Sequence, residues 1–121
     1  MDAKLRRTER LQLPHEFRAV FDRGTCVRGP CLRVHYLQGK RELSRLGLVV
    51  SRRVGSAVAR SRVKRLLREV FRRHKGQLPR ALDVVLVPQG PPRPYADYAS
   101  SYQRFLDKLA SRVTPCVPSS S

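Results

Sequence analysis

The sequence predicts an α+β fold: a single-layer mixed four-stranded sheet packed by helices, in the order α-β-β-β-α-β-α. Three observations predict it. Around Leu32–Tyr36 and Leu46–Val50 apolar residues recur at every second position, the period of a half-buried strand. From Val63 to Phe71, and again from Tyr98 to Leu109, they recur at three- and four-residue spacing, which makes one stripe on a helix. Turn signals such as Gly24, Gly39-Lys-Arg-Glu and Gly76 separate these runs. With 121 residues, 40% of them hydrophobic, residues 1–121 read as one domain with one modest core. Within it, residues 1–13 form a basic arm and residues 114–121 a flexible tail.

Each element has its own signals. The arm carries Lys4, Arg6, Arg7 and Arg10. Pro14 suits the first turn of a helix, and Phe17, Val20 and Phe21 at i, i+3 and i+4 share one of its faces. Gly24 is expected to stop it in the manner usual for glycine. Residues 25–30 are a candidate edge strand, weakened by Gly29-Pro30. Strands follow at Cys31–Gln38 and Arg45–Arg53, separated by the polar turn Gly39-Lys-Arg-Glu. In the first, Leu32, Val34 and Tyr36 alternate with Arg33 and His35; the second carries Leu46, Leu48 and Val50 on one face. Ser56 is a good N-cap for a helix running to about Lys75, stopped by Gly76 and Pro79. Leu82–Val87 reads as a buried strand, Pro88–Pro94 as a stiff connector, and 95–112 as a helix with Tyr98, Tyr102 and Phe105 in the core.

Charge narrows the function. The chain has 26 Lys+Arg against 9 Asp+Glu, a net charge of +17, and 21 of the cations are arginines. Arginine's planar fork bridges phosphate oxygens and stacks on bases. Such self-repulsion calls for a polyanionic partner, with nucleic acid first and an anionic membrane surface second. A membrane-spanning helix is excluded, because Val84–Val87 is the longest apolar run and a span needs roughly twenty residues. The N-terminus lacks the apolar core of a secretory signal. Cys26, Cys31 and Cys116 make no CxxC pair and read as reduced thiols of a cytosolic protein. His15, His35 and His74 are scattered, and the acids fall singly, so no nucleophile–base pair or two-metal cluster suggests an enzyme acting alone.

Residues 51–75 concentrate the charge, with ten Lys/Arg and the single acid Glu69. On a helix, Val63, Leu66, Leu67, Val70 and Phe71 make an apolar stripe; Ser61, Lys64, Arg65, Arg68, Arg72 and Lys75 fall opposite. A merely solvated basic helix tends to interleave acids at i+4, and only Glu69 is placed to do so. A membrane-surface helix fits less well, since the stripe lacks Trp and the flanking strands need it for their core. Ahead of the helix, Arg52, Arg53 and Gly55 with the N–H groups at Ser56–Val58 favour an anion at that corner.

The run from Gly47 to Glu69 resembles the signature of the bacterial ribonuclease P protein subunit: a strand ending in two basic residues, then G-x-A-V-x-R-N-R-x-K-R-x-x-R. The upstream F-x-x-V-F-x-x-G pattern is met by Phe17, Val20, Phe21 and Gly24, and the resemblance covers roughly residues 8–110. The chain departs from the pattern at Ser61, where the family has Asn, and at Val87-Pro88, where relatives often place a basic residue.

The resemblance implies a ribosomal protein S5 domain 2-like fold with a left-handed βαβ crossover, against the usual right-handed rule. It implies a single RNA-binding domain that assists a catalytic RNA in Mg2+-dependent removal of the 5′ leader of precursor tRNA. No catalytic residue would lie in the protein, and the Mg2+ would be held mainly by RNA. Carried over by position, Arg52, Arg53, Arg60, Ser61, Arg62, Lys64, Arg65 and Arg68 would face the catalytic RNA subunit. Phe17, Phe21 and His35 would meet the leader, with Phe17 the more exposed phenylalanine. The partners would be ribonuclease P RNA and precursor tRNA, with no membrane and no DNA, in the cytoplasm. A ribosomal-type RNA-binding protein shares the charge and size and is the alternative. A helix-turn-helix DNA binder would need a short helix where 45–53 reads as a strand.

Overall fold

A computed structural model describes residues 10–11, 13–39, 43–78 and 81–116. In chain order the elements are α1 (Pro14–Arg23), β1 (Thr25–Arg28), β2 (Leu32–Gln38), β3 (Arg45–Leu48), α2 (Ala57–His74), β4 (Leu82–Pro88) and α3 (Tyr95–Cys116). They form the expected α+β fold with a mixed sheet. Its strand order is β1-β2-β4-β3, with β2 antiparallel to both β1 and β4 and β3 parallel to β4. The β3–α2–β4 unit is therefore a crossover between neighbouring parallel strands, with the basic helix packed over one face of the sheet.

Strand alternation sorts the sheet into two faces. Leu32, Val34, Leu82, Val84 and Leu86 point to the side covered by α2 and α3, where Val63, Leu67, Val70, Phe71, Tyr98, Tyr102 and Phe105 complete the main core. The core reading of Tyr98, Tyr102 and Phe105 thus holds. Val85, with Leu37 and Val87 beside it, points the other way and packs under Val20 and Phe17 of α1 and Leu11 of the arm.

Helix α1 opens with Pro14, and the Leu13 N–H donates to Glu16 Oε1 at 3.0 Å. Glu16 also accepts from Arg45 Nη1 at 2.8 Å, while Arg45 Nε and Nη2 each donate to the Asp83 carboxylate at 2.9 Å. This half-enclosed bridge ties α1 to β3 and β4. Gly24 does end α1, but its φ of −88° is not the left-handed stop that glycine usually provides. The need is for space: a Cβ there would lie 2.4 Å from the carbonyl oxygens of Val20 and Tyr36.

Several boundaries differ from the sequence reading. The candidate edge strand is real: Gly29 and Pro30 sit in the β1–β2 connection, where the Gly29 N–H donates to the Leu32 carbonyl at 2.8 Å. β3 stops at Leu48 rather than Arg53. The Val49 N–H makes a last bond to Leu86, and Ser51 then caps a single 3-10 turn over Arg52–Val54. Arg52 and Arg53 thus ride on a turn, not a strand end; the apolar alternation outlasts the ladder because Val50 still packs on the core. Helix α3 reaches Cys116, into the segment read as tail. Arg10 and Leu11 are not a free arm either, since the Leu11 N–H donates to the Leu46 carbonyl at 2.9 Å and continues the sheet beyond β3. The remainder of the arm (1–9 and 12), residues 40–42 of the polar turn, 79–80 with Pro79, and 117–121 lie outside the described residues.

Candidate nucleic-acid interface

The basic surface begins at the turn before α2. Gly55 has φ 149°, a conformation open to glycine and strained for other residues, and it reverses the chain directly into the helix. Ser56 caps as expected, its Oγ accepting from the Ala59 N–H at 3.2 Å. Arg60 folds back so that Nη1 donates to the Gly55 carbonyl at 3.0 Å. Its guanidinium therefore staples the turn, with the remaining donors left for a ligand. Arg52, Arg53, Ser61, Arg62 and Arg65 are exposed, and Lys64 and Arg68 are half-buried. Ala57, Val58, Ser61, Arg62 and Arg65 line an open groove whose apolar member, Val58, is 76% exposed.

The acid of this helix serves its far end. Glu69 takes Arg72 at 2.7 Å and Arg73 at 2.6 Å, and those two guanidiniums hold its carboxyl below the usual range. Arg73 also lies over the Tyr95 ring at 5.7 Å. Arg62, Lys64, Arg65 and Arg68 pair with no carboxylate among the described residues. Burial, followed by repulsion from Arg10 and Arg65, lowers the Arg68 pKa from the usual arginine value. Half of α2 is thus electrostatically satisfied, and the half carrying the motif is not.

The three residues expected to meet the leader have different surroundings. Phe17 is half-buried over Gly47, where a Cβ would approach its Cε1 to 2.5 Å. Phe21, one turn on, is 40% exposed and meets His35 edge to face, with ring centroids 4.6 Å apart. The more exposed phenylalanine is therefore Phe21, reversing the expectation: Gly47 leaves a notch that draws in Phe17, whereas the larger His35 holds Phe21 at the surface. His35 itself is half-buried, and burial, then the Arg33 charge, pushes its imidazole below the usual histidine value. Both shifts favour the uncharged imidazole, so the pair is weighted toward an aromatic platform without charge.

The two groups of residues meet. A cavity of about 170 Å³ is lined by Arg10, Leu11, Phe17, Leu46, Gly47, Leu48, Lys64 and Arg68. Lys64 and Arg68 thus share a cleft with Phe17, across β3, rather than lying on a separate surface. Sequence reasoning missed Arg10 and Gly47. Their only signal was the apolar notch in the β3 pattern, and no local spacing links residue 10 to residue 68. Among the described residues, no group of three or more His, Cys, Asp or Glu side chains is placed to hold a metal ion. No described helix is long and apolar enough to cross a membrane. Cys26 is exposed and Cys31 is buried against Ser101, both as free thiols.

A family model described as Ribonuclease P matches residues 5–111. The chain belongs to the ribonuclease P protein family. The Ribonuclease P protein component of Thermotoga maritima is 37% identical over 89 residues, covering 74% of this chain and 76% of that one. The component from Shouchella clausii is 35% identical over 108 residues, 86% and 88% of the two chains. Among solved structures, the Staphylococcus aureus RNase P protein superposes with a TM-score of 0.74 at 26% identity, over 83% of this chain and 94% of that one. The T. maritima RNase P protein gives 0.71 at 30% identity, over 83% and 96%. Membership of the ribonuclease P family places the chain in tRNA processing, as the protein part of an endoribonuclease complex.

Proposed function

We propose that the chain binds ribonuclease P RNA and the 5′ leader of precursor tRNA, and so assists the Mg2+-dependent cleavage that gives the mature tRNA 5′ end. The observation that carries this reading is the unpaired cation ladder Arg62, Lys64, Arg65 and Arg68, set beside an aromatic cleft across one strand. Cations about one turn apart along a helix match a run of phosphates and strengthen binding by releasing counterions. Arg52 and Arg53 extend that surface along the turn, and Arg60 holds the turn in shape. Ser61 is exposed between them; its hydroxyl donates and accepts, without the paired geometry of an amide.

On the other side, the Phe21–His35 pair offers faces on which unpaired bases stack without regard to sequence, as a leader of variable sequence requires. The hydrolysis belongs to the RNA subunit and its Mg2+. The residues of this chain bind and orient two RNAs, and their charge screens the repulsion between them. Less Mg2+ is then needed, and precursor is preferred over mature tRNA. A cytoplasmic setting, without membrane or DNA, goes with that role.

The test is reconstitution at low Mg2+. Purified protein, a bacterial ribonuclease P RNA and a 5′-extended precursor tRNA are mixed, beside protein-alone and RNA-alone controls. Cleavage at the mature 5′ end in the mixture alone supports the reading. Tight, salt-sensitive RNA binding with no stimulation of cleavage would turn it toward a ribosomal-type role.

A further inference from the structure

The junction cavity has a composition that neither surface explains alone. Part of its lining is apolar, made by Leu11, Phe17, Leu46, Gly47 and Leu48. The rest is three cations from two separate parts of the chain: Arg10 ahead of α1, and Lys64 and Arg68 on α2. No carboxylate among the described residues lines it. Arg10 and Leu11 are held in place, because they bridge to Leu46 in parallel register. Like charges held together around a concave, partly apolar space are costly unless an anion sits among them. An RNA duplex is too wide to enter such a notch, whereas a single strand can place a phosphate among the cations and its nucleoside against Phe17.

We infer that Arg10, with Lys64 and Arg68, forms a subsite for one phosphodiester of the single-stranded leader, at the junction between the aromatic cleft and the basic helix. Arg10 is thereby a binding residue, and with Leu11 it closes one side of the leader path. Lys64 and Arg68 face the leader, while Arg62 and Arg65 remain for the catalytic RNA. The inference rests on the proposed leader-binding function and adds to it the path the strand takes.

The test compares wild type, Arg10→Ala and Arg10→Lys in the reconstituted complex. Affinities are measured for mature tRNA and for precursors whose leader is lengthened one nucleotide at a time. Arg10 is exposed and its sheet pairing is made by backbone, so both variants should keep the wild-type thermal midpoint. Wild type should gain affinity as the leader grows. Arg10→Ala should lose that gain severalfold at one leader length, with a salt slope shallower by about 0.7, and Arg10→Lys should restore most of it. Mature tRNA and RNA-subunit affinities should not change. Leader dependence identical in wild type and Arg10→Ala overturns the subsite. So does an Arg10→Ala variant that assembles poorly with the RNA subunit but keeps its leader dependence, since the phosphate would then be the catalytic RNA's. A wild-type complex with no leader-dependent gain is a different failure, that of the functional reading itself.

Discussion

Phe17 and Phe21 lie one helical turn apart on α1, yet they face different surroundings. Phe17→Ala should cost about 2 kcal/mol of stability, because its ring fills the notch over Gly47. Phe21→Ala should leave the thermal midpoint nearly unchanged and weaken precursor binding more than mature tRNA binding; equal weakening of both would remove Phe21 from the leader path. The i, i+4 spacing made their shared face legible in the sequence. Which of the two meets solvent was not legible, because Gly47 and His35 decide it from across the sheet. His35 carries a pH prediction. Its folded-state pKa is lowered, so the unfolded chain takes up a proton that the folded chain resists. The stability it contributes is present above the usual histidine value and is lost as pH falls through that value toward the folded one. An NMR titration of the free protein should give a His35 midpoint below that of a model histidine, and a bound RNA phosphate should raise it. Among the arginines, Arg62→Ala should weaken RNA binding and make its salt dependence shallower with no change in stability. Arg60→Ala should do both that and loosen the turn it staples.

At the scale of elements, the long periodic segments were legible and the short paired ones were not. Helices α2 and α3 announce themselves through apolar stripes, and Ser56 marks the start of α2 because its hydroxyl chemistry is local. The end of β3 was misplaced because the strand is set by what it pairs with: β4 supplies partners only from Asp83 to Leu86. The sheet-extending role of Arg10 and Leu11 was hidden for the same reason. Gly24 was recognised as a stop but for a different cause, since its lack of a side chain permits close backbone approach. Gly24→Ala should therefore destabilise the protein by about 1–3 kcal/mol and shift α1, an overpacking effect measurable by denaturant unfolding. The Arg45 bridge is the other hold on α1. Arg45→Met would leave the Glu16 and Asp83 carboxylates without their shared cation, at a cost of about 3 kcal/mol. Unchanged stability in that variant would mean that packing alone docks the helix.

For the whole molecule, composition and one motif conveyed the fold class and the family, because both are carried by local pattern. The arrangement of the interface was less accessible. Residues 10, 17, 47, 64 and 68 belong to four different parts of the chain and converge only because β3 is flanked by the arm on one side and by β4 on the other. That convergence joins into one cleft two sets of residues that the sequence presents separately. The +17 charge then has a distribution as well as a size. Among the described residues Glu69, Glu16 and Asp83 neutralise Arg72, Arg73 and Arg45, and the cations in the motif half of α2 pair with no carboxylate. The most direct measurement of this account is the ratio of precursor to mature tRNA affinity for ribonuclease P RNA, with and without the protein, at matched salt and Mg2+. The account predicts that the protein raises the ratio, and that Phe21→Ala lowers it again. A ratio that the protein leaves unchanged, with the complex shown to be assembled, would contradict it.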